Sequence, residues 1–222
     1  MPILDYEPGA SPEAPGTLYF YEQGQDPSTG FQVSSKGVIT GPNGSGTLFP
    51  TGDFQPSDHG LTAWAFDPSL VANSSTAVSG TLYLTKLPVR SAVTVSNLWW
   101  SILTVAVTPT AGQNWVGLYD TAGNRLVQAG VDAAVTSTGP KQTALTATAL
   151  QPGYVWAAFL FNGATPPTVG AGSNFQTIPN INLAGATLRW AVNGTGRTTL
   201  PATITPGSNT TTGSLNYWAA MS

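Results

Sequence analysis

The stretch AVTVSNLWWSILTVAV at residues 92–107 decides the fold class of this chain of 222 residues. β-Branched and aromatic residues dominate it, and apolar residues alternate with small polar ones, as in a half-buried β-strand. Strict alternation places Trp99 on the same face as Val95 and Leu103, so Trp99 is predicted to lie in the core. Trp100 falls on the opposite, mixed face, where a subunit contact, a ligand platform and partial core burial all remain open.

The flanking sequence continues this β pattern on both sides. Short apolar runs recur about every 8–12 residues between turns that contain Gly or Pro, as in an antiparallel sandwich or a jelly roll. Residues 120–124, DTAGN, predict a hairpin connection in which Gly123 supplies a positive φ. The sequence shows no helical pattern of about ten residues with caps at both ends. We therefore predict an all-β chain with an antiparallel, jelly-roll-like β-sandwich.

Two further apolar stretches bear on what covers this sandwich. Residues 154–161, YVWAAFLF, are apolar on both faces, so this strand is either central in the sandwich or covered by another subunit. In residues 115–119, Val116 and Leu118 are predicted to point inward and their neighbours outward. A chain with so few charges is a candidate homo-oligomer. The candidate ligand or subunit contacts are Trp100, Trp115, Tyr119 and Trp156.

The composition excludes several classes of protein. Charged residues make up 8% of the chain, against about 25% in typical soluble domains, and 31 Thr and 18 Ser supply polarity instead. There is no Cys and one His, which argues against a disulfide-stapled module and a structural zinc site. The net charge of −3 argues against nucleic-acid binding. No cofactor is predicted.

The few charges divide the chain into two segments. Residues 1–60 carry seven acidic side chains and one basic one, a net charge of −6, whereas residues 61–222 carry three acidic and six basic ones, a net charge of +3. We predict an N-terminal arm and attachment segment at 1–60 and a β-sandwich domain at 61–222.

The N-terminal segment is predicted to be extended and partly β. Prolines at positions 2, 8, 12 and 15 favour extended chain over helix. The β-formers TLYFYE at residues 17–22 predict a strand, a turn region follows at 24–30, and further short β stretches lie at 31–33 and 38–40. So few aliphatic side chains predict a segment that docks on something else.

Candidate catalytic residues are scarce. His59, the single His, lies in the Asp58–Gly60 junction and is interpreted as a loop residue. Asp67 precedes a proline at a turn start, and Asp120 opens the hairpin connection, so with Asp132 they make no convincing carboxylate pair for glycoside cleavage. Neither a nucleophile elbow nor a phosphate-binding glycine pattern is present. We predict that the chain is not an enzyme and holds no metal.

Targeting signals are absent from the sequence as well. Residues 1–8 lack the basic and apolar regions of a signal peptide. The longest nearly apolar stretch, residues 98–107, is about half of what a membrane-spanning helix needs. We expect synthesis in a cytoplasm and no membrane insertion.

Several blocks resemble phage structural proteins. GTLYFYE at 16–22, followed by Gly24 and residues 31–33, resembles a short β motif of phage tail and fibre proteins. From Leu61 to Ser222, about three quarters of the chain, further blocks resemble a β-domain of minor tail and fibre-like proteins of phages that infect actinobacteria. These blocks are AWAFDP at 63–68, GTLYL at 80–84, LPVR at 87–90, AGQNWVGLYD at 111–120, NGTG at 193–196 and YWAA at 217–220.

This resemblance implies a structural protein of the virion. Such proteins are commonly trimers with an N-terminal attachment part and a C-terminal part that projects outward, so the expected partners are the chain itself, other virion proteins through residues 1–60, and host-surface glycan. A capsid-surface fibre or decoration protein is an alternative within the same class. A carbohydrate-binding module or small cell-wall depolymerase is the alternative from another class.

Overall fold

The computed structural model describes four N-terminal strands and residues 54–222, except for residues 72, 173–177 and 214. All paired strands are antiparallel, and the described residues contain no α-helix, so the predicted all-β sandwich is confirmed. The chain divides into two compact units, Met1–Phe54 and Gln55–Ser222. This division falls a few residues before the expected boundary at Gly60.

The N-terminal unit contains an antiparallel sheet in which strands follow one another in sequence order. Its strands are β1 (Pro2–Glu7), β2 (Thr17–Glu22), β3 (Phe31–Ser34) and β4 (Ile39–Thr40). The predicted strand at residues 17–22 and the β stretches at 31–33 and 38–40 correspond to β2, β3 and β4. Proline is tolerated at the first residue of a strand, and Pro2 begins β1. The predicted turn at 24–30 and the prolines at 8, 12 and 15 lie outside the described residues.

The second unit is built from two large sheets and a short ribbon. Its strands are β5 (Ala63–Trp64), β6 (Asn73–Thr76), β7 (Leu82–Val89), β8 (Val93–Thr104), β9 (Val107–Pro109), β10 (Trp115–Tyr119), β11 (Arg125–Gly130), β12 (Gly139–Leu150), β13 (Gly153–Leu160), β14 (Gly163–Thr165), β15 (Thr168–Ala171), β16 (Trp190–Val192) and β17 (Ala220–Met221). One sheet has the order β11-β10-β13-β7-β16. The other has the order β5-β17-β8-β15-β6, and its sixth strand, β12, lies outside this order and pairs with β8. Strands β9 and β14 form the ribbon.

The described residues of this unit form six short 3₁₀ helices in the loops. They are Pro56–His59, Pro68–Leu70, Ala134–Thr136, Ile178–Asn180, Gly185–Thr187 and Pro206–Ser208. The chain crosses repeatedly from one large sheet to the other, because consecutive strands such as β7 and β8, or β12 and β13, belong to different sheets. This connectivity brings residues far apart in the sequence into the same layer.

The main core lies between the two large sheets. Trp100 on β8 stacks on Phe161 with 5.6 Å between ring centroids, and it contacts Phe159 of the facing sheet at 6.0 Å. Tyr217 packs edge-on against Phe159 at 5.7 Å. Buried aromatic side chains contribute large apolar areas to such a core. These rings therefore join the two layers at the centre of the sandwich.

A β-bulge in β8 determines which of its side chains face this core. The backbone N–H groups of Ser96 and Asn97 both donate to the carbonyl oxygen of Ser222, at 2.8 and 2.9 Å. Two residues on one strand thus oppose a single residue on its neighbour, which reverses the inward and outward alternation. Val95 points inward before the bulge, whereas Leu98, Trp100 and Ile102 are the buried residues after it. The prediction that Trp99 and Leu103 share a core face is wrong for this reason, since Leu103 is 46% exposed and Trp99 only partly buried.

A second core covers the outer face of the five-stranded sheet. Trp156, Ala158 and Leu160 on β13 point away from the sandwich interior and are fully buried there. Leu188, Leu200 and Ile204, from the loops on either side of β16, cover them. The two-faced apolar strand is therefore central in its sheet and is covered by its own chain.

The hairpin between β10 and β11 forms as predicted. Asp120 accepts a hydrogen bond from the backbone N–H of Asn124 at 2.8 Å, and Gly123 has φ +92°. A Cβ at this position would collide with the carbonyl oxygen of Ile204. Glycine is thus required at position 123 both for its backbone conformation and for the close approach of the covering loop.

Candidate functional site

Three of the four residues that the sequence predicts as ligand or subunit contacts are buried in the interior of the second unit. Trp100, Tyr119 and Trp156 each have 0% of their surface exposed. Trp100 faces inward because of the bulge in β8, whereas Tyr119 and Trp156 are covered by the loops around β16. The expectation that they contact a ligand or a second subunit is therefore wrong, because a buried ring offers no face to a partner.

Trp115 is the one predicted contact that keeps some exposed surface. It is half-buried, packs against the second core, and donates its indole N–H to the carbonyl oxygen of Gly112 at 3.1 Å. The predicted inward orientation of Val116 and Leu118 is confirmed, since both belong to the main core. Trp115 therefore lies at the rim of the sheet.

Each side-chain carboxylate in Gln55–Ser222 accepts a hydrogen bond from the backbone of a nearby turn or loop. Asp67 accepts from the N–H of Ser69 at 2.7 Å and caps the following 3₁₀ helix, which confirms the predicted turn start. The other acceptors are Asp58 for Gln55, Asp120 for Asn124 and Asp132 for Gly112. Asp132 also accepts from the side-chain amide of Asn114 at 2.8 Å. These carboxylates stabilise loops by satisfying N–H groups.

The pKa shifts of these groups agree with this structural role. Hydrogen bonds from Ser69 hold the pKa of Asp67 below its ordinary value. The N–H of Gly112, followed by the amide of Asn114, lowers the pKa of Asp132. A general acid working near neutral pH needs a raised pKa instead.

His59 lies edge-on to Trp64, with 5.5 Å between ring centroids.

A groove lined by basic side chains is the most distinctive surface feature of the second unit. It consists of two neighbouring recesses, which share Ala65, Pro88 and Arg189. The smaller recess has a volume of about 250 Å³ and adds Lys86. The larger has a volume of about 420 Å³ and adds Arg90. We call these two recesses the cationic groove.

The cationic groove concentrates charge that is scarce elsewhere. Lys86, Arg90 and Arg189 are three of the six basic residues in Gln55–Ser222. Among the described residues, no acidic side chain lines either recess. Aromatic side chains share the groove, with half-buried Trp64 in the larger recess and Tyr154 in the smaller.

Strand pairing brings two of these cations side by side. The backbone N–H of Lys86 donates to the carbonyl oxygen of Arg189 at 2.8 Å, so the two residues face each other across the β7–β16 edge. The ammonium of Lys86 lies 4.1 Å from the ring centroid of Tyr154 and 4.7 Å from that of Trp156. Burial lowers the pKa of Lys86. Because its partners come from distant strands, no local sequence pattern indicates this site.

A third recess is rich in hydroxyl groups and has one basic side chain in its lining. It has a volume of about 590 Å³ and is lined by threonines together with Arg197. The Arg197 guanidinium donates to the carbonyl oxygen of Asn193 from Nε at 3.1 Å and from a terminal nitrogen at 2.9 Å. Arg197 thus braces its own loop, and the cationic groove is the stronger candidate for a binding site.

Neither the remaining structural features nor a comparison with known proteins assigns a function to this chain. Within the described ranges, no cluster of three or more metal-ligating side chains occurs. No helix among the described residues is long and apolar enough to cross a membrane. The chain matches no known protein family, curated protein or solved structure.

Proposed function

We propose that the chain is a non-enzymatic structural protein of a phage particle, a minor tail protein or fibre. In this proposal the N-terminal unit attaches to other virion proteins, and the β-sandwich faces outward. The observation that carries it is the division into two dissimilar units. Residues 1–54 have a net charge of −5 and Gln55–Ser222 a net charge of +2.

The surface chemistry of the second unit supports this proposal. Its polarity comes largely from uncharged Thr and Ser, which suits packing against neighbouring subunits without the cost of desolvating charges. Its described carboxylates are used as loop acceptors, which argues against the depolymerase alternative. The likeness of the sequence blocks to tail and fibre proteins is a second support. A capsid-surface fibre or decoration protein would use the same features.

Particle composition tests this proposal directly. Particles purified on a density gradient from a culture producing the phage that encodes this chain should contain it by mass spectrometry. A variant lacking residues 1–54 should retain the β-sheet circular dichroism of the sandwich yet be missing from the particles. Absence of the full chain from purified particles would overturn the assignment.

We also propose a homotrimer, supported by the resemblance and the low charge of the chain. The covering of β13 by its own loops removes a further reason for expecting a subunit there. Multi-angle light scattering at micromolar concentration should give three times the chain mass of 22.9 kDa. A monomeric mass would overturn the trimer but not the location in the particle.

The cationic groove favours a second candidate function, that of a carbohydrate-binding module. Aromatic rings beside polar and charged groups are suited to sugars, which present apolar ring faces as well as polar substituents. An adhesive fibre would combine both roles. A module without a particle function would bind glycan but be absent from the purified particles.

A further inference from the structure

The cationic groove holds two like charges next to each other without a compensating acid. Lys86 on β7 is hydrogen-bonded through its backbone to Arg189, the residue just before β16, and both side chains line the same recess. Like charges directly opposite on neighbouring strands destabilise a sheet. Within the described part of the chain, no carboxylate pairs with Lys86, Arg90 or Arg189. A bound anion would relieve this repulsion.

The hydrogen-bond donors of these side chains are only partly used. The Lys86 ammonium donates to the carbonyl oxygen of Ala186 at 2.9 Å, and it has three N–H groups in all. Arg189 donates to the carbonyl oxygen of Ala65 at 3.3 Å, while its guanidinium lies 4.5 Å from the Trp190 ring centroid. A guanidinium offers five N–H donors. Both groups thus retain donors that a carboxylate could accept from.

Aromatic contacts hold the two cations in place before any ligand arrives. Lys86 rests against Tyr154 and Trp156, and Arg189 rests against Trp190. Cation–π contacts of this kind attract the cation to the face of the ring. Side chains that are already ordered lose less conformational entropy on binding. The groove is therefore preorganised for an anionic group.

We propose that the cationic groove binds an acidic saccharide whose carboxylates contact Lys86, Arg189 and Arg90. This inference rests on the proposed adhesive role and names its ligand class. The two recesses share a wall, so successive acidic rings of one chain can place a carboxylate in each. Half-buried Trp64 in the larger recess provides an apolar surface for a ring face. That combination favours a saccharide over an acidic peptide.

Binding of a defined pair of probes to the full chain tests the inference. Isothermal titration calorimetry with tetragalacturonic acid should give a Kd below about 1 mM. The methyl ester of the same tetrasaccharide should bind at least about tenfold more weakly, because the ester lacks the negative charge that strengthens these hydrogen bonds. Affinity for the acid should fall as salt is raised, since exposed charges are screened.

Matched variants locate the site. Arg189→Gln and Lys86→Gln should each weaken binding of tetragalacturonic acid at least about tenfold. Lys141→Gln, which removes a charge on β12 of the other sheet, should leave the affinity unchanged. Arg189 and Arg90 are exposed, so the double variant that carries both Arg90→Gln and Arg189→Gln should remain folded, and a cooperative thermal unfolding transition checks this.

Specific results would overturn the inference. They are equal binding of the acid and its ester, no detectable binding of the acid, or unchanged affinity in the Arg90→Gln, Arg189→Gln double variant. Equal affinity for triglutamate would replace the saccharide by an acidic peptide. None of these results depends on whether the chain is found in purified particles. Failure of the ligand assignment and failure of the virion assignment are therefore distinguishable.

Discussion

The indole N–H of Trp99 donates a hydrogen bond to the side-chain oxygen of Ser222, with 2.9 Å between the two atoms. Ser222 also accepts from the backbone N–H groups of Ser96 and Asn97, and its own N–H donates to the carbonyl oxygen of Asn97 at 3.2 Å. One residue thus holds the bulge of β8 through three backbone hydrogen bonds and two side-chain bonds, the second of which the side-chain amide of Asn97 donates at 3.4 Å. The burial of Trp100 depends on this arrangement.

Deleting Ser222 should destabilise the sandwich more than removing its hydroxyl group. Each intramolecular hydrogen bond contributes about 1 kcal/mol, so the deletion, which removes the three backbone bonds as well as the side-chain bonds, should lower the free energy of unfolding by about 4 kcal/mol. Ser222→Ala keeps the backbone bonds and should cost about 1 kcal/mol, as should Trp99→Phe. Urea denaturation monitored by tryptophan fluorescence measures all three. Equal losses for deletion and Ser222→Ala would show that the backbone bonds to the bulge contribute nothing.

Replacement of Trp100 should show that it is a core residue. Trp100→Ala removes a fully buried ring and the hydrogen bond from its Nε1 to the hydroxyl of Thr143. A loss of about 3–5 kcal/mol in the free energy of unfolding is expected. Trp115→Ala, at the half-buried rim, should cost less than half as much. If both substitutions had the same small effect, Trp100 would not be in the core.

Alanine at position 123 should be poorly tolerated. Gly123→Ala meets both a positive φ and a collision with the covering loop, so its cost should exceed the roughly 1–2 kcal/mol of left-handed strain alone. Gly112→Ala is the matched control, because Gly112 has φ +72° with open space around its Cβ position. Thermal unfolding of the two variants compares these effects. A smaller loss for Gly123→Ala than for Gly112→Ala would contradict the collision.

Acid should remove the stabilisation that Asp132 provides. Its pKa in the folded chain lies below the ordinary value of 3.8, so the folded state favours the ionised carboxylate. The contribution is fully present above the unfolded pKa and is lost as the pH falls through the lower folded pKa. The difference in unfolding free energy between the unaltered chain and Asp132→Asn should therefore shrink below pH 3.8. If this difference in unfolding free energy grew as the pH fell, folding would raise the pKa of Asp132 and not lower it.

The strands that the sequence predicts correctly are those whose residue pattern and flanking turns match their place in the sheet. The β2 strand and the β10–β11 hairpin follow from β-formers and from turn residues such as Gly123. The existence of β8 also follows from its composition, but the composition does not show which of its side chains face the core. Alternation assigns faces only while each residue opposes one partner, and the bulge at Ser96 and Asn97 breaks that condition.

The cationic groove could not be predicted from local sequence patterns, and the reason differs from that for β8. Lys86 and Arg189 are separated by most of the sandwich sequence, and only the pairing of β7 with β16 puts their charges together. The sequence predicts four aromatic contacts because aromatic residues favour interfaces. The same rings also favour cores, and three of them are buried there.

The sequence by itself determined the antiparallel all-β class, because strand periodicity, turn residues and the scarcity of charge are local properties of the chain. It also indicated the loop roles of Asp67 and Asp120, since capping and turn formation involve only near neighbours. The tertiary structure alone decided which aromatic rings are buried, what covers the outer face of β13, and which cations share a groove. Those features depend on contacts between distant strands, and alternation along one strand carries no information about its partner.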